Sequence, residues 1–258
     1  MLPPAGRVKA TLVSASSSDL IPLVRKLESI TQLTSEERQA LESLPAAIRL
    51  MQPRQDIVRD KDRPGHCCLI LSGWAYRYKL LSEGKRQILS LHIPGDLPDL
   101  QSLHLHVMDH NLATLTACRL ALIPHAAFHD LTNRFPGLCA ALWRDTLVDA
   151  AIFREWMTGI GRRTAFGRIA HLFCEMYLKL HAVGLATSHR CELPFTQVDI
   201  GDALGLSNVH VNRVLQEMRG KGLITLQGSR LVIVDWGALS EAGEFDPTYL
   251  HLRAGETA

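Results

Sequence analysis

The sequence predicts an α+β fold in which a domain of short strands is followed by one long helix and then by a small domain of helices and a β-hairpin. Three observations lead to this prediction. Five short β-like runs lie between 48 and 131, separated by turns rich in Gly, Pro and Ser. Apolar residues recur every three or four positions from 136 to 157. Two short helical patterns then precede a hairpin between 195 and 234. The predicted divisions are a flexible tail (1–19), the strand domain with an N-terminal helix (20–134), the long helix (135–160), the small domain (161–240) and a C-terminal tail (241–258).

Composition places the chain among ordinary globular proteins. It has 258 residues, of which 47% are hydrophobic and 21% charged. No stretch approaches the roughly 18 apolar residues that a membrane-spanning helix needs, and no secretory signal is recognised near the N-terminus. The six cysteines form no C-x-x-C pair, so we expect a reduced cytoplasmic protein that does not enter a membrane.

Charge gives a weak indication of the partner. The net charge is only +2, but residues 160–236 hold nine Lys and Arg against six Asp and Glu. A small basic excess confined to one segment is compatible with nucleic-acid binding and does not establish it.

The N-terminal half is predicted as a helical region at 20–44 followed by strands. Thr34 precedes Ser35, Glu36 and Glu37, which is a typical helix start because the hydroxyl caps the first turn and acids favour it. The β-like runs are 57–58, 68–71, 76–78, 88–93 and 119–123. Many short strands at such intervals are typical of a sandwich or barrel.

The long helix carries two apolar stripes. Pro136 suits its first position, and Gly159 with Gly161 after its end suggests a hinge. A helix with two such stripes must be covered on both sides. We expect one stripe to rest on the strand domain and the other on the same helix of a second copy; burial of both within one chain is the alternative. The stripe assigned to the dimer contact contains Leu138, Ala141, Asp145, Val148, Ile152 and Trp156. The other contains Trp143, Leu147, Ala150, Arg154 and Met157.

The segment 195–226 predicts a helix-turn-helix. Thr196 and Asp199 form a variant of the capping box, and Gly205 ends the first helix. Ser207 caps the second helix. The apolar residues of that second helix recur at spacings of three and four and should face inward: Val211, Val214, Leu215 and Met218. A hairpin at 223–234 follows, and a helix pair with such a hairpin is a winged helix.

The outward face of the second helix indicates contact with DNA bases. It holds amides, an arginine and a valine where a merely solvated helix would more often hold Glu and Lys. Arg suits guanine, Asn and Gln suit adenine, and Val can touch the thymine methyl. The predicted base-reading residues are Asn208, Val209, Asn212, Arg213 and Gln216. The predicted contacts to the DNA backbone are Thr196, Gln197, Ser207 and His210.

Taken together, residues 44–235 resemble the Crp/Fnr superfamily of bacterial regulators. The segment LILSGWAYRY at 69–78 resembles its strand-turn-strand, and Gly84 with RQIL at 86–89 and PGD at 94–96 resembles its next hairpin and turn. Residues 200–207, Arg213 and GLI at 222–224 resemble its helix-turn-helix. The resemblance implies an antiparallel, cyclic-nucleotide-binding-like β-roll, a long dimerisation helix and a C-terminal winged helix-turn-helix. The implied partners are a palindromic DNA operator, a second copy of the chain and, as a further candidate, RNA polymerase.

Two departures from the family pattern concern specificity. Many relatives have Arg and Glu where this chain has Asn208 and Val209, so the half-site should differ from the usual one. Cyclic-nucleotide binders also place an arginine after the Pro-Gly-Asp turn to neutralise the phosphate. Here the corresponding stretch, HNLA at 110–113, has none. We therefore expect no tight cyclic AMP binding and only a degenerate ligand pocket around Gly95, Asp96, Asp99, His110 and Asn111.

No cofactor is predicted. Residues 1–66 contain no cysteine, unlike relatives that hold an iron–sulfur cluster there. An alternative is a metal- or haem-responsive regulator that uses His104, His106 and His110, since imidazoles suit both groups. A regulator that responds to cyclic nucleotides is a second alternative.

An enzyme and a protein-binding winged helix are the competing classes. Gly159-Ile160-Gly161 does not follow a strand, so it does not indicate a dinucleotide site. No nucleophile elbow, phosphate loop or zinc-protease motif occurs. The sequence therefore predicts a regulator and not an enzyme, and a steep salt dependence of DNA affinity would separate it from a protein-binding module.

Overall fold

The computed structural model describes residues 13–253 of the chain. The region expected to be helical from 20 to 44 forms two helices, α1 (Ile21–Glu28) and α2 (Ser35–Glu42). Thr34 caps α2 as predicted, because its Oγ1 accepts a hydrogen bond from Glu37 N–H while the Glu37 carboxylate accepts one from Thr34 N–H. This start signal separates α2 from α1.

Part of the predicted N-terminal tail is ordered. Strand β1 (Val13–Ser14) pairs antiparallel with β2 (Ala47–Met51), and Ser17–Leu20 form a 3-10 turn that buries Leu20. Residues 1–12 of that expected tail lie outside the described residues.

Two four-stranded antiparallel sheets form the N-terminal domain. One has the order β1-β2-β8-β4 and the other β3-β7-β5-β6. All five predicted β-like runs lie in these sheets, and β1, β2 and β7 are additional. The remaining strands are β3 (Asp56–Val58), β4 (His66–Ser72), β5 (Ala75–Leu80), β6 (Arg86–His92), β7 (Asn111–Thr114) and β8 (Cys118–Pro124). The predicted strand domain is therefore a β-roll.

A single long helix connects the β-roll to the rest of the chain. After α3 (His125–Arg134), helix α4 (Pro136–Arg162) runs for 27 residues with Pro136 in its first turn, as predicted. The hinge expected at Gly159 and Gly161 is wrong, because the helix continues through both glycines. The chain turns at Arg163, whose backbone is extended, and Thr164 caps α5 (Ala165–Ala182). Gly159 lies under the Arg163 guanidinium, which would be only 3.3 Å from an added Cβ.

A buried carboxylate joins α4 to α5 below this turn. Both oxygens of Glu175 accept from the indole N–H of Trp156 at 3.1 Å, and the Tyr249 hydroxyl donates to Glu175 at 2.7 Å. Burial raises the pKa of Glu175, although Lys179 and these donors oppose the shift. The side chains thus fix the angle between the two helices.

The C-terminal domain contains the predicted helix pair and hairpin. Its sheet has the order β10-β11-β9, and the chain leaves it through a last helix. The elements are β9 (Arg190–Glu192), α6 (Gln197–Leu204), α7 (Asn208–Gly220), β10 (Ile224–Gln227), β11 (Arg230–Ile233) and α8 (Trp236–Ala242).

Of the segment expected to be a tail (241–258), residues 241–253 pack against the domain instead, and residues 254–258 lie outside the described residues. Phe245 and Leu250 are buried, and Tyr249 stacks on His171 of α5 with 5.7 Å between the ring centroids. The physical reason is the apolar and aromatic content of 245–252, which covers the outer side of α5.

The β-roll core supplies a first prediction. Leu120 on β8 is fully buried, whereas Leu50 on the neighbouring β2 is 73% exposed. Leu120→Ala should lower the free energy of unfolding by about 2–5 kcal/mol because a cavity replaces the side chain. Leu50→Ala should change it by less than about 0.5 kcal/mol. Urea unfolding followed by circular dichroism measures both, and equal losses would contradict the assigned burial.

The helix-turn-helix supplies a second prediction. An added Cβ at Gly201 would lie 2.5 Å from the Leu206 carbonyl oxygen, whereas one at Gly220 would meet no atom within 4 Å. Gly201→Ala must push the turn away from α6 and should cost about 1–3 kcal/mol. Gly220→Ala should be neutral or stabilise by up to about 1 kcal/mol. Thermal unfolding compares the two variants, and an undiminished Gly201→Ala protein would show that the turn is looser than described.

Candidate nucleic-acid interface

The start of α6 is built by reciprocal hydrogen bonds. Thr196 Oγ1 accepts from Asp199 N–H at 3.1 Å, and Asp199 Oδ2 accepts from both the N–H and the hydroxyl of Thr196. Gly205 ends the helix with a φ of 66°, a conformation that suits glycine. These contacts agree with the predicted capping box and turn, and they set where α7 begins.

The recognition helix α7 is amphipathic in the predicted sense. Ser207 Oγ accepts from His210 N–H at 3.2 Å and caps the helix. Val211, Val214, Leu215 and Met218 are buried against the domain core. The five predicted base-reading residues are all exposed, and Val209 has 81% of its surface accessible. The exposed face of α7 is therefore polar apart from Val209, which is available for an apolar contact in a DNA groove.

Two of the predicted contact residues are already bonded to each other. Asn212 Nδ2 donates to Gln197 Oε1 at 3.2 Å, which ties the recognition helix to the first turn of α6. Thr196 and Ser207 use their hydroxyls as helix caps.

The wing lies beside this helix pair. Its turn passes through Gly228 with a φ of 59°, and β11 also pairs with β9, a strand that sequence analysis missed. Arg230 of the wing is exposed and pairs with Glu192 at 3.4 Å. The wing therefore offers one exposed cation next to a carboxylate and not a dense basic patch.

The dimer residues predicted on α4 need correction. Five of the six, Asp145 excepted, are buried against their own chain: Leu138, Ala141, Val148, Ile152 and Trp156. Asp145 is part of a charged cluster described below. The opposite stripe is the uncovered one, since Trp143, Leu147, Arg154 and Met157 are exposed and Ala150 is half-buried. Periodicity finds both stripes but does not tell which of them the β-roll covers.

Between the β-roll and α4, the expected position of a ligand is filled by charged side chains. The cavity there is about 30 Å³, which is room for water and not for a nucleotide, since ligand pockets usually exceed roughly 300 Å³. Three cations and three carboxylates line it: Lys26, Arg77, Lys179, Asp96, Asp145 and Asp149.

Ion pairs hold this cluster together. Lys26 Nζ lies 3.2 Å from Asp96 and 3.6 Å from Asp145, and Arg77 pairs with Asp149. Burial raises the pKa of Asp96, but Lys26 and Lys179 outweigh it and hold that pKa well below its ordinary value. Burial and the Arg77 charge lower the pKa of His92 to about 4, so His92 is neutral at physiological pH.

Of the five residues predicted for a degenerate ligand pocket, only Asp96 lines this cavity. The Asp99 carboxylate instead accepts from Cys68 N–H at 2.7 Å, and burial raises its pKa to about 7. His110 bonds to Asp109. Asn111 bonds to Asp60 N–H within the strand region. Gly95 has a φ of 98° and approaches Pro22 so closely that an added Cβ would lie 2.5 Å from its carbonyl oxygen.

The described histidines are not grouped as the ligands of a metal ion would be. Within residues 13–253, no group of three or more His, Cys, Asp or Glu side chains is placed to hold a metal ion. His104, His106 and His110 therefore do not converge; His104 instead contacts His129 at 6.1 Å between ring centroids. The same described range contains no helix that is long and apolar enough to cross a membrane.

Sequence reasoning missed the contact between the β-roll and α6. Arg54 and Arg86 of the β-roll pair with Asp199, and Arg86 also pairs with Asp202. The capping pattern identified Asp199 only as a helix start. Its arginine partners are more than 100 residues away along the chain, so no local pattern could have indicated them.

Comparison with known families agrees with this architecture. A model of the cyclic nucleotide-binding domain matches residues 48–135. A model of the Crp-like helix-turn-helix domain matches residues 167–242. Among solved structures, FixK2 from Bradyrhizobium japonicum has the same fold, with a TM-score of 0.69 and 24% identity over 76% of this chain and 96% of that one.

Relatives by sequence are regulators. The transcriptional activator protein FnrL of Cereibacter sphaeroides is 28% identical over 218 residues, which span 81% of this chain and 86% of FnrL. The nitrogen fixation regulation protein FixK of Rhizobium meliloti is 25% identical over 73% of this chain and 82% of its own length. With both domains matched in this order and the recognition helix exposed, the chain belongs to the Crp/Fnr superfamily of DNA-binding transcription regulators.

Proposed function

We propose that the chain acts as a symmetric dimer that binds a palindromic operator, with one α7 helix in the major groove of each half-site. The exposed polar face of α7 carries this proposal. A groove-bound helix needs an outward row of hydrogen-bonding side chains on a rigidly capped scaffold, and α7 supplies both. The domain division proposed with it is a β-roll (20–134), a dimer helix (135–160) and a winged helix-turn-helix (161–240).

The roles of individual side chains follow from their chemistry. Arg213 is the proposed guanine contact, Asn208 and Gln216 suit adenine, and Val209 suits the thymine methyl. The Asn212 side-chain amide already donates a hydrogen bond to Gln197 of α6, so in this proposal the same amide group contacts both α6 and a base. Thr196, Gln197, Ser207 and His210 lie at the two helix starts, where phosphates bind best.

The proposed dimer contact is the uncovered stripe of α4. Its exposed apolar members are Trp143, Leu147 and Met157, spaced along the helix so that a second copy of α4 could cover them. Of the six residues first assigned to this contact, five pack into the chain's own core and Asp145 lines the charged cavity.

The role proposed for the β-roll is that of a sensor or a degenerate sensor. Its closed, charge-balanced cavity favours a regulator that does not need cyclic AMP, which stays a prediction. Because several relatives are named transcriptional activators, we include a contact with RNA polymerase in the proposal, together with a cytoplasmic location where the operator is accessible.

Selection from a random double-stranded DNA library at physiological salt tests the proposal. Enrichment of a motif with two-fold symmetry, its half-sites about 10–10.5 base pairs apart, is the expected result. Enrichment of an asymmetric motif would contradict the dimer, and a purified protein that enriches nothing would favour a winged helix that binds protein.

Arg213 provides the sharpest test of base contact. Arg213→Ala should relax the preference at one base pair of each half-site and weaken binding to the selected operator by about 1–3 kcal/mol. Fluorescence anisotropy with single-base variants of the operator measures this. A uniform loss on every sequence would instead make Arg213 a phosphate contact.

A matched pair of leucines tests the dimer face. Leu147 on α4 is 56% exposed and Leu81 in the β5–β6 turn is 60% exposed. Leu147→Glu should produce a monomer, since burying a carboxylate in an apolar contact is costly, whereas Leu81→Glu should remain dimeric. Sedimentation velocity distinguishes the two, and a dimeric Leu147→Glu variant would move the interface elsewhere.

A further inference from the structure

Helix α6 of the DNA-binding domain is fastened to the β-roll of the same chain by a set of ion pairs, which we call the clamp: Arg54, Arg86, Asp199 and Asp202. Arg54 binds Asp199 through two parallel hydrogen bonds, each 2.7 Å long. Arg86 donates to Asp199 at 2.9 Å and to Asp202 at 2.8 Å. Two-point guanidinium–carboxylate pairing fixes orientation as well as distance.

The shared carboxylate at the centre of the clamp is sheltered from water. The Asp199 side chain is 2% exposed and the Arg86 side chain 20%, whereas Arg54, at the edge of the clamp, is 39% exposed. Tyr76 of β5 lies beneath both guanidinium groups, at 5.9 Å from Arg54 and 5.1 Å from Arg86, and its hydroxyl accepts from Arg86. Although burial raises the pKa of Asp199, Arg54 and Thr196 outweigh it and lower that pKa to about 2. The carboxylate is therefore ionised at any physiological pH.

The backbone at Arg54 indicates that its side chain is required. Arg54 has a φ of 63°, a left-handed conformation that favours glycine or asparagine. The turn is held by Arg54 N–H donating to the Thr114 carbonyl and Gln55 N–H donating to Thr114 Oγ1, both at 2.9 Å. An arginine that accepts this backbone conformation gains the contact with Asp199, which glycine could not make.

Further contacts prevent α6 from rotating about the clamp. Gln87 Nε2 donates to the Ala203 carbonyl near the end of α6, at 3.1 Å. Trp74 of the β-roll meets Phe195 just before α6, with 5.1 Å between ring centroids at nearly a right angle. The helix is thus held before its start, in its first turn and near its end, while the base-reading face of α7 stays exposed.

From this geometry we propose that Arg54 and Arg86 are positioning residues for DNA binding, which hold the recognition helix at a fixed angle to the β-roll and so set the half-site spacing that the dimer accepts. The inference rests on the proposed function. It assigns this spacing to a contact between the β-roll and α6. The four clamp residues are distinct from the residues proposed to contact DNA, so the clamp and the operator do not use the same side chains.

The test combines Arg54→Gly, which suits the backbone of the turn, with Arg86→Gln. Arg59→Gln is the matched control, because Arg59 is an exposed β-roll arginine paired with Asp56 outside the clamp. Hydrogen–deuterium exchange without DNA should show roughly tenfold faster exchange in α6 and β6 of the double variant. The control should exchange as wild type. Unchanged exchange in the double variant would contradict the claim that these ion pairs hold α6 against the β-roll.

The second readout uses duplexes that carry two selected half-sites at varied separation. Wild type and Arg59→Gln should prefer one spacing, whereas the double variant should bind neighbouring spacings with similar affinity. Its affinity for a single half-site should stay within about twofold of wild type, because α7 itself is unchanged. A double variant that keeps the wild-type spacing preference would overturn the inference. If wild type selects no operator, the proposed function fails, and the exchange measurement still decides the clamp.

Discussion

Helix α4 has two apolar faces, and both need to be shielded from water. The way in which they are covered determines how the other parts of the structure are arranged. One face packs under the β-roll through Leu138 and Val148 and closes the internal cavity with Asp145 and Asp149. The other face leaves Trp143, Leu147 and Met157 accessible. Exposed apolar side chains along one helix face are costly to leave in water, and this is the observation behind the proposed dimer.

The charged cluster under α4 lines the space between the β-roll and this helix. Three cations and three carboxylates neutralise one another in a space of about 30 Å³. Buried ion pairs stabilise little in net terms, but removing one partner is strongly destabilising because the other charge is left unpaired. The cluster therefore connects α1, β5, β6, α4 and α5 in one arrangement. Any signal that acts on the β-roll would have to rearrange these pairs or act at another surface.

Local patterns predicted the elements well where they carried caps, turns or periodicity. Thr34, Ser207 and Gly205 predicted helix boundaries that are present in the structure. The spacing of the apolar residues alone predicted which face of α7 is buried and which is exposed. Strands β1, β2, β7 and β9 were missed because two to five residues without strong turn signals do not stand out. Gly159 and Gly161 were interpreted as a hinge because glycine lowers helix propensity, but packing at the end of α4 overrides that preference.

Local sequence patterns did not predict the contacts between segments that are far apart in the chain. The spacing of α4 shows two stripes, yet only the position of the β-roll decides that Trp156 is covered and Met157 is not. Asp199 was identified as a cap, while its pairing with Arg54 depends on the docking of two domains. The C-terminal residues Phe245 and Leu250 looked like a tail because their partners on α5 lie about 70 residues earlier in the chain.

A hydroxyl-radical footprint of the protein on its selected operator shows directly whether two recognition helices bind at a fixed spacing. Two symmetric protected windows on one face of the duplex are expected, centred about 10–10.5 base pairs apart, since each subunit contributes one capped recognition helix. A single protected window, or two windows whose separation varies from one bound duplex to the next, would contradict a dimer whose DNA-binding domains are held at a fixed angle.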